Sequence, residues 1–444
     1  MSPYNSTRDA LLSRTGDKMS TFLAFQNQLK MKKAIHRLDN LQTKSGILNY
    51  GDSTETIVYE SIRTDICYGP PINQLYLQEI GSEGGCMAPI AKNSTVAVTG
   101  AAGFIGGWVV RLLLDRGYRV RACVRDANDR AKTEFLYQLP AYASGRLSVH
   151  SANLDDEGCF DDVFKGCQGL CHVSHVSNYT DPDYMIGVCN HVIDSINNSN
   201  SINRVIVTSS IAAVISEADV QEFVRRPVFY EDRYPDEESP KRKHDRGQGY
   251  SLGKVDLERM FTDAAEKSGV WDCIRVCPAD NVGPILSSHQ KNMGPWQHII
   301  EGMLLGRYEQ TGAYRPWMTV DVRDDAECHI RLLENVDIKN GERFIAWSTD
   351  VRNVEDVCRS IDRLLPELGH ATPEVTDPFP DRIKERQEEL RSIWAGVELR
   401  NDRIVEATGM KFRSLDSSIR DCVESLISVA GVKPVLRKGF KLKE

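Results

Sequence analysis

The 444-residue sequence has no apolar run of the roughly 18 to 20 residues that cross a bilayer as a helix, so a helical membrane span is excluded. It has no excess of positive charge either. Its 55 Lys and Arg stand against 63 Asp and Glu, a formal net charge of −8, which argues against nucleic acid as a partner. No Cys-x-x-Cys pair occurs among its 12 cysteines. Cys167 and Cys171, four apart in an apolar stretch, make a poor metal site, and no metal is expected. No secretory leader is recognisable, so the sequons opening at Asn5, Asn93, Asn178 and Asn197 read as chance matches. The scattered thiols fit a reducing compartment, hence a cytoplasmic protein. An internal repeat is missing as well. What remains is 41% hydrophobic and 27% charged, enough for a sizeable core and, at about 150 residues each, two to three domains.

Residues 1 to about 91 stand apart from the rest. They hold few periodic patterns, and the first 38 carry seven Lys or Arg against Asp9 and Asp17. A basic, Ser/Thr-bearing, acid-poor stretch leaves plastid or mitochondrial import open, alongside a disordered or docking segment. A shorter product starting at Met87 is another reading. From residue 95 apolar runs at 95–99, 120–125, 147–150, 169–174, 204–210 and 272–278 predict buried parallel strands. Helical segments lie between them. One, over 104–116, puts Trp108, Val109, Leu112 and Leu113 on a face and ends at Gly117. A second repeats Met185, Val188, Val192 and Ile196 at helical spacing. Strand–helix alternation predicts an α/β fold, a Rossmann-type doubly wound parallel sheet.

Thr99-Gly-Ala-Ala-Gly-Phe-Ile-Gly106 follows the first strand and opens the first helix. Gly100 permits the tight turn, Gly103 lets the backbone approach a pyrophosphate at the helix N-terminus, and Gly106 allows close packing. The pattern predicts a dinucleotide. The second strand ends at Arg125, where a carboxylate would select NAD through the ribose 2′-hydroxyl and an arginine suits a 2′-phosphate. Arg125, with Lys132 as a second cation, therefore favours NADP over NAD, although Asp126 follows directly.

Tyr250-Ser-Leu-Gly-Lys254 places two functional side chains one turn apart on a helix face. An ammonium beside a phenol lowers its pKa and prepares it to give a proton to a carbonyl oxygen. The strand at 204–210 ends in Thr208-Ser209-Ser210 at the sheet edge where ligands bind in this architecture. Ser210 is the candidate partner of the substrate oxygen, with Ser209 as the alternative.

These segments resemble the extended short-chain dehydrogenase/reductases, specifically the dihydroflavonol 4-reductase and cinnamoyl-CoA reductase group. The residues that carry the resemblance are VAVTGAAGFIGGWVVRLLLDRGYRVRACVRD at 96–126, NLDDEGCFDDVFKGCQGLCHVS at 153–174, RVIVTSS at 204–210, YSLGK at 250–254 and VCPADNVGP at 276–284. TVDVRDDAECHI at 319–330 and GERFIA at 341–346 extend it toward residue 430. The resemblance implies Gly100, Gly103, Phe104, Ile105 and Gly106 at the pyrophosphate and Arg125 and Lys132 at the 2′-phosphate. It implies Asn153 and Leu154 beside adenine, Val173 on the nicotinamide side, and Pro278 and Asn281 near the carboxamide. Ser210, Tyr250 and Lys254 match its catalytic trio, with Tyr250 and Lys254 also touching cofactor. It further implies one reductase unit over 92–435, with an NADP-binding core to about 280 and a smaller C-terminal substrate lobe from about 281.

Departures from the pattern bear on substrate. Ile215 stands where plant flavonoid reductases favour a polar residue, and Ser174, His175 and Ser177 replace the usual wording after the fourth strand. A charge-balanced insertion runs from Asp236 to Arg246 and reads as a solvated loop. His172 reads as a packed core histidine. His289, His298, Trp296 and Trp317 fall in the substrate lobe, where an aromatic wall and core packing are both open. Arg382 to Arg391 alternates in sign like an exposed helix, and the basic tail from Lys433 to Lys443 reads as a frayed end.

The expected activity is NADPH-dependent reduction of a ketone or aldehyde on a small-molecule carbonyl substrate by a monomer or homodimer. A nucleotide-sugar epimerase or hydroxysteroid dehydrogenase remains a second reading, and a non-catalytic Rossmann-like subunit of a larger complex a third.

Overall fold

The computed structural model describes residues 90–215, 228–229, 231–232, 249–305, 317–352, 354–367 and 395–435, strands at 45–49 and 56–60, and isolated positions between 385 and 392. The Asp236–Arg246 insertion, most of Arg382–Arg391, the tail beyond Val435 and most of the N-terminal segment lie outside the described residues. The chain divides into two compact units, Met1–Ser82 and Glu83–Glu444. In the first, β1 (Ser45–Asn49) and β2 (Thr56–Glu60) pair antiparallel with Ile47 opposite Val58.

The second unit opens with β3 (Thr95–Thr99), α1 (Phe104–Asp115), β4 (Arg119–Val124), α2 (Arg130–Tyr137), α3 (Pro140–Ala143) and β5 (Leu147–Ser151). It continues with α4 (Asp161–Phe164), β6 (Gly169–His172), α5 (Pro182–Ser199), β7 (Arg204–Thr208), β8 (Val228–Phe229), α6 (Gly249–Ser268) and β9 (Asp272–Pro278). Then follow β10 (Asp280–Val282), α7 (Pro295–Leu304), β11 (Trp317–Asp321), α8 (Val322–Glu334), β12 (Arg343–Ala346), β13 (Val351–Arg352), α9 (Val354–Glu367), β14 (Glu398–Leu399), α10 (Asp402–Thr408) and α11 (Leu415–Ser428).

Seven strands form one sheet in the order β12-β9-β7-β6-β3-β4-β5, and every pairing is parallel. Strand order reverses at β3, which bonds β4 on one side and β6 on the other. This is the topological switch point at which doubly wound sheets bind ligands. Alternation along the strands builds two helical layers. Val96, Val98, Cys171, Ile206, Ile274 and Val276 face one core with α1, α8 and α11. Ala97, Leu170, Val205, Val207 and Cys273 face the other with α4, α5 and α6.

Two strands stop two residues short of the apolar runs that predict them, for different local reasons. β6 ends at His172 because the Thr99 hydroxyl takes the next two backbone N–H groups. β7 ends at Thr208 because Ser210 caps a single helical turn, Ile211–Ala213, and accepts from Ala212 N. Gly117 does close α1, at φ 92°, a conformation that a side chain strains. The smaller lobe is built from β10, β11 and β13, with β10 parallel and β13 antiparallel to β11, and α11 packs on α7, α9 and β11.

Candidate active site

The turn after β3 is tight and depends on glycine for its shape. Gly100 has φ 66°, and a Cβ there would stand 3.0 Å from the Ser174 Cα. A Cβ on Gly106 would overlap the Gly100 carbonyl oxygen, so helix and turn approach only because that residue lacks a side chain. Gly103, the N-cap of α1, brings no side-chain cap, and the first turn, at the positive dipole end, holds no acidic residue. The turn's carbonyls are held from the smaller lobe. Gln290, fully buried, donates to Ala102 O at 3.3 Å and Gly103 O at 3.1 Å. His289 Nε2 lies 2.9 Å from Ala102 O. His289 is therefore part of the cradle's support and not an aromatic wall, and Trp296, 1% exposed, belongs to the core. His298 is exposed and faces Glu301. Phe104 is buried in the core and Ile105 half-buried against it.

Arg125 lies exposed just past β4, with no ion pair among the described residues. Lys132 lies exposed on α2, with its Nζ 2.6 Å from Asp129 Oδ2. Asn153 and Leu154 follow β5. Their carbonyls accept from Asp156 N and from His191 Nδ1, at 3.0 Å each. Beside them Tyr184 of α5 hydrogen-bonds Asp155, and its hydroxyl lies 2.6 Å from Ser177 Oγ.

At the C-terminal edge of β7 the three polar residues meet α6. Lys254, 3% exposed, donates from Nζ to Thr208 O at 2.9 Å. Ser210 stands close enough to Tyr250 for its hydroxyl to act on the phenol. Desolvation pushes the Tyr250 phenol above its ordinary pKa, and the Lys254 ammonium and the Ser210 hydroxyl both pull it down. The Tyr250 ring is 37% exposed, open to an incoming molecule. The Lys254 Nζ lies 5.8 Å from its centre. Tyr179 meets Tyr250 edge-on at 5.0 Å, and His175 stacks on it at 5.7 Å. This aromatic wall escaped the sequence reading, although Gly253 within the Tyr-x-x-x-Lys stretch hints at it. A Cβ there would press on the Tyr179 ring and on Met185 Sδ at 3.1 Å.

Val173 is half-buried beside the switch point and Pro278 closes β9. Asn281 Oδ1 is buried with no hydrogen-bond partner among the described residues, an acceptor suited to a carboxamide N–H. Gly100, Gly106, the uncapped α1 and this orphaned oxygen together fit a dinucleotide. No group of three metal-ligating side chains occurs among the described residues, and none of their helices is long and apolar enough to cross a membrane.

Comparison with known proteins agrees with the geometry. The NAD dependent epimerase/dehydratase family matches residues 96–346. The chain is 31% identical to dihydroflavonol 4-reductase of Callistephus chinensis over 62% of its own length and 73% of the relative's. It is 30% identical to cinnamoyl-CoA reductase CAD2 of Medicago truncatula, over 75% and 95% of the two chains. Among solved structures, Gre2 from Candida albicans in complex with NADPH superposes with a TM-score of 0.59 at 22% identity, covering 76% of this chain and 99% of that one. The chain belongs to the NAD-dependent epimerase/dehydratase family, as an extended short-chain dehydrogenase/reductase of the dihydroflavonol and cinnamoyl-CoA reductase type, and is an NAD(P)H-dependent oxidoreductase.

Proposed function

We propose that this protein reduces a ketone or aldehyde carbonyl to the alcohol with NADPH, and that Ser210, Tyr250 and Lys254 carry the reaction. The observation that supports this most directly is the meeting of β7 and α6 at the sheet edge. Ser210 and Lys254 both lower the pKa of the Tyr250 phenol, beside a glycine turn. NADPH bound at that turn supplies the hydride that the carbonyl carbon accepts.

The chain's own groups handle the oxygen. Ser210 Oγ accepts Ala212 N–H at 3.1 Å, which leaves its proton for the substrate oxygen. Tyr250 donates the proton that turns the developing alkoxide into an alcohol. Lys254 draws the phenol pKa down and, anchored on Thr208 O, keeps further N–H donors for the nicotinamide ribose. Gly100, Gly103 and Gly106 take the pyrophosphate, while Arg125 takes the 2′-phosphate and gives NADPH its advantage over NADH. The NADPH complex of the Candida relative supports the same choice. Asn153 and Leu154 flank the adenine; Val173, Pro278 and Asn281 flank the nicotinamide. Ile215, buried among Val214, Met318 and Trp347, brings no hydrogen bond toward a hydroxylated ring, which favours a less hydroxylated carbonyl than a dihydroflavonol.

The test is NADPH oxidation by the full chain against aldehydes, flavonoid ketones and acyl-CoA thioesters, with NADH in parallel. Turnover on a carbonyl with NADPH, abolished in Tyr250→Phe, is the expected result. Wild-type turnover by Tyr250→Phe would overturn it.

A further inference from the structure

Helix α6 addresses the end of β7 with three polar side chains at four-residue intervals, and the proposed chemistry uses only two. Tyr250 stands by Ser210, whose hydroxyl lowers its pKa, and Lys254 donates to Thr208 O. One turn further on, Glu258 accepts a hydrogen bond from Ser209 Oγ. Glu258 is 0% exposed and also accepts from Cys277 Sγ at 3.3 Å. Arg343 of β12, itself 2% exposed, holds the same carboxylate, with Nε 3.0 Å from Oε2 and Nη2 3.2 Å from Oε1. Arg275 Nη1 stands 3.6 Å away. The Arg343 guanidinium then donates to Ala213 O at 2.7 Å, within the helical turn that Ser210 caps, and to Glu231 O at 3.0 Å.

The chain on both sides of Ser210 is thus tied to one buried ion pair, through Ser209 before it and Ala213 after it. The carboxylate of that pair rides on the helix that carries Tyr250. Burying two ions is an expensive way to hold secondary structure together, because apolar side chains of equal volume do it as well. What the pair adds is a fixed geometry. Ser210 and Tyr250 must converge on one oxygen atom, and misplacement by about 1 Å costs on the order of 100-fold in rate. We infer that Ser209, Glu258 and Arg343 are positioning residues that fix Ser210 against Tyr250, so that the working unit is larger than the Ser-Tyr-Lys trio.

This inference rests on the reductase reading, and the experiment separates the two. Full-length Ser209→Ala, Ser209→Cys, Glu258→Gln and Tyr250→Phe proteins are assayed with NADPH and whichever carbonyl of the panel the wild type reduces. NADPH affinity is followed separately by nicotinamide fluorescence, and thermal midpoints are recorded. Ser209→Ala is expected to lose kcat on the order of 10- to 100-fold, at unchanged NADPH affinity and little changed thermal midpoint. Ser209→Cys, which keeps a donor in place, recovers part of the loss. The alkaline limb of the reduction profile moves to higher pH, because the Ser210 hydroxyl that lowers the Tyr250 pKa is no longer held against it. Glu258→Gln shifts kcat and the alkaline limb in the same direction. Wild-type kcat in both Ser209→Ala and Glu258→Gln, with Tyr250→Phe inactive, overturns the inference and leaves the reading standing. A kcat loss that only tracks lost NADPH binding and a lowered midpoint, with the pH limb unmoved, also overturns it, as general structural support. Full activity in Tyr250→Phe overturns the reading itself.

Discussion

Thr99 and His172 are joined at the switch point of the sheet by a hydrogen bond from the hydroxyl to the ring. Thr99 Oγ1 lies 2.9 Å from His172 Nδ1 and accepts the N–H groups of Val173 and Ser174 at 3.1 Å each. With both acceptor positions of the hydroxyl used, its proton is assigned to Nδ1, and the ring is neutral with its own proton on Nε2. Burial, with the Lys254 charge second, pushes the His172 pKa down to about 3.

This neutral histidine makes stability depend on pH. The unfolded ring takes a proton below about 6.5, whereas the folded ring takes one only below about 3. Between those values unfolding binds a proton, so the contribution is complete above the unfolded pKa and is lost as the pH falls through the window. Denaturant melts of the wild type at pH 4 to 7 are expected to show stability rising with pH, and His172→Asn to reduce that slope by about one proton.

Thr99→Val removes the hydroxyl while keeping shape. Two N–H groups and the His172 Nδ1 then lack their partner. The expected loss is roughly 2–4 kcal/mol, read from the denaturation midpoint. NADPH affinity falls with it, because the Val173–Ser174 backbone packs on Gly100.

At Gly106 an alanine methyl would meet the Gly100 carbonyl, which is backbone and cannot swing aside. Gly106→Ala is expected to weaken NADPH binding by about tenfold or more and to lower the thermal midpoint, since relieving the overlap costs roughly 1–3 kcal/mol. Fluorescence titration and a thermal melt check both.

Arg125→Ala is expected to cut the preference for NADPH over NADH by about 10- to 100-fold, the worth of a hydrogen bond to a charged group. Lys132→Ala has a smaller effect because its ammonium is held by Asp129. Parallel kcat/KM measurements with the two coenzymes decide it.

The Lys254 charge lowers the Tyr250 pKa, so Lys254→Met leaves desolvation less opposed and the phenol harder to ionise. Alcohol oxidation, which begins from the tyrosinate, should then fall by on the order of 100-fold. Its rise with pH should move upward by a measurable interval. Stopped-flow pH profiles in the oxidative direction show this.

Much of the cradle was legible because its signals are local. Gly100 and Gly106 are demanded by a positive φ and a helix–turn contact within seven residues, and Tyr250 and Lys254 share a face by helical period alone. The groups that support them were not legible. Gln290 bonds Gly103 across 187 positions, Thr208 meets His329 across 121, and Arg343 meets Glu258 across 85. Each such pair joins elements that come together only when the crossovers set the sheet order, so no window of sequence contains it. At Lys132 the fold adds an ion pair with Asp129, one turn back, to the cation that the spacing singles out.

The sequence alone determined the glycine turn, the parallel strands and the Tyr–Lys helix face, since glycine stereochemistry and residue periodicity act over one or two turns. It left Ser209 and Ser210 as near equivalents. Tertiary structure separated them. The end of β7 turns each hydroxyl toward a different level of α6, Ser210 to the half-open Tyr250 and Ser209 to the buried Glu258. That assignment depends on the register between a strand and a helix some forty residues downstream. Packing against β9 and β12 sets this register, and neither segment contains it by itself.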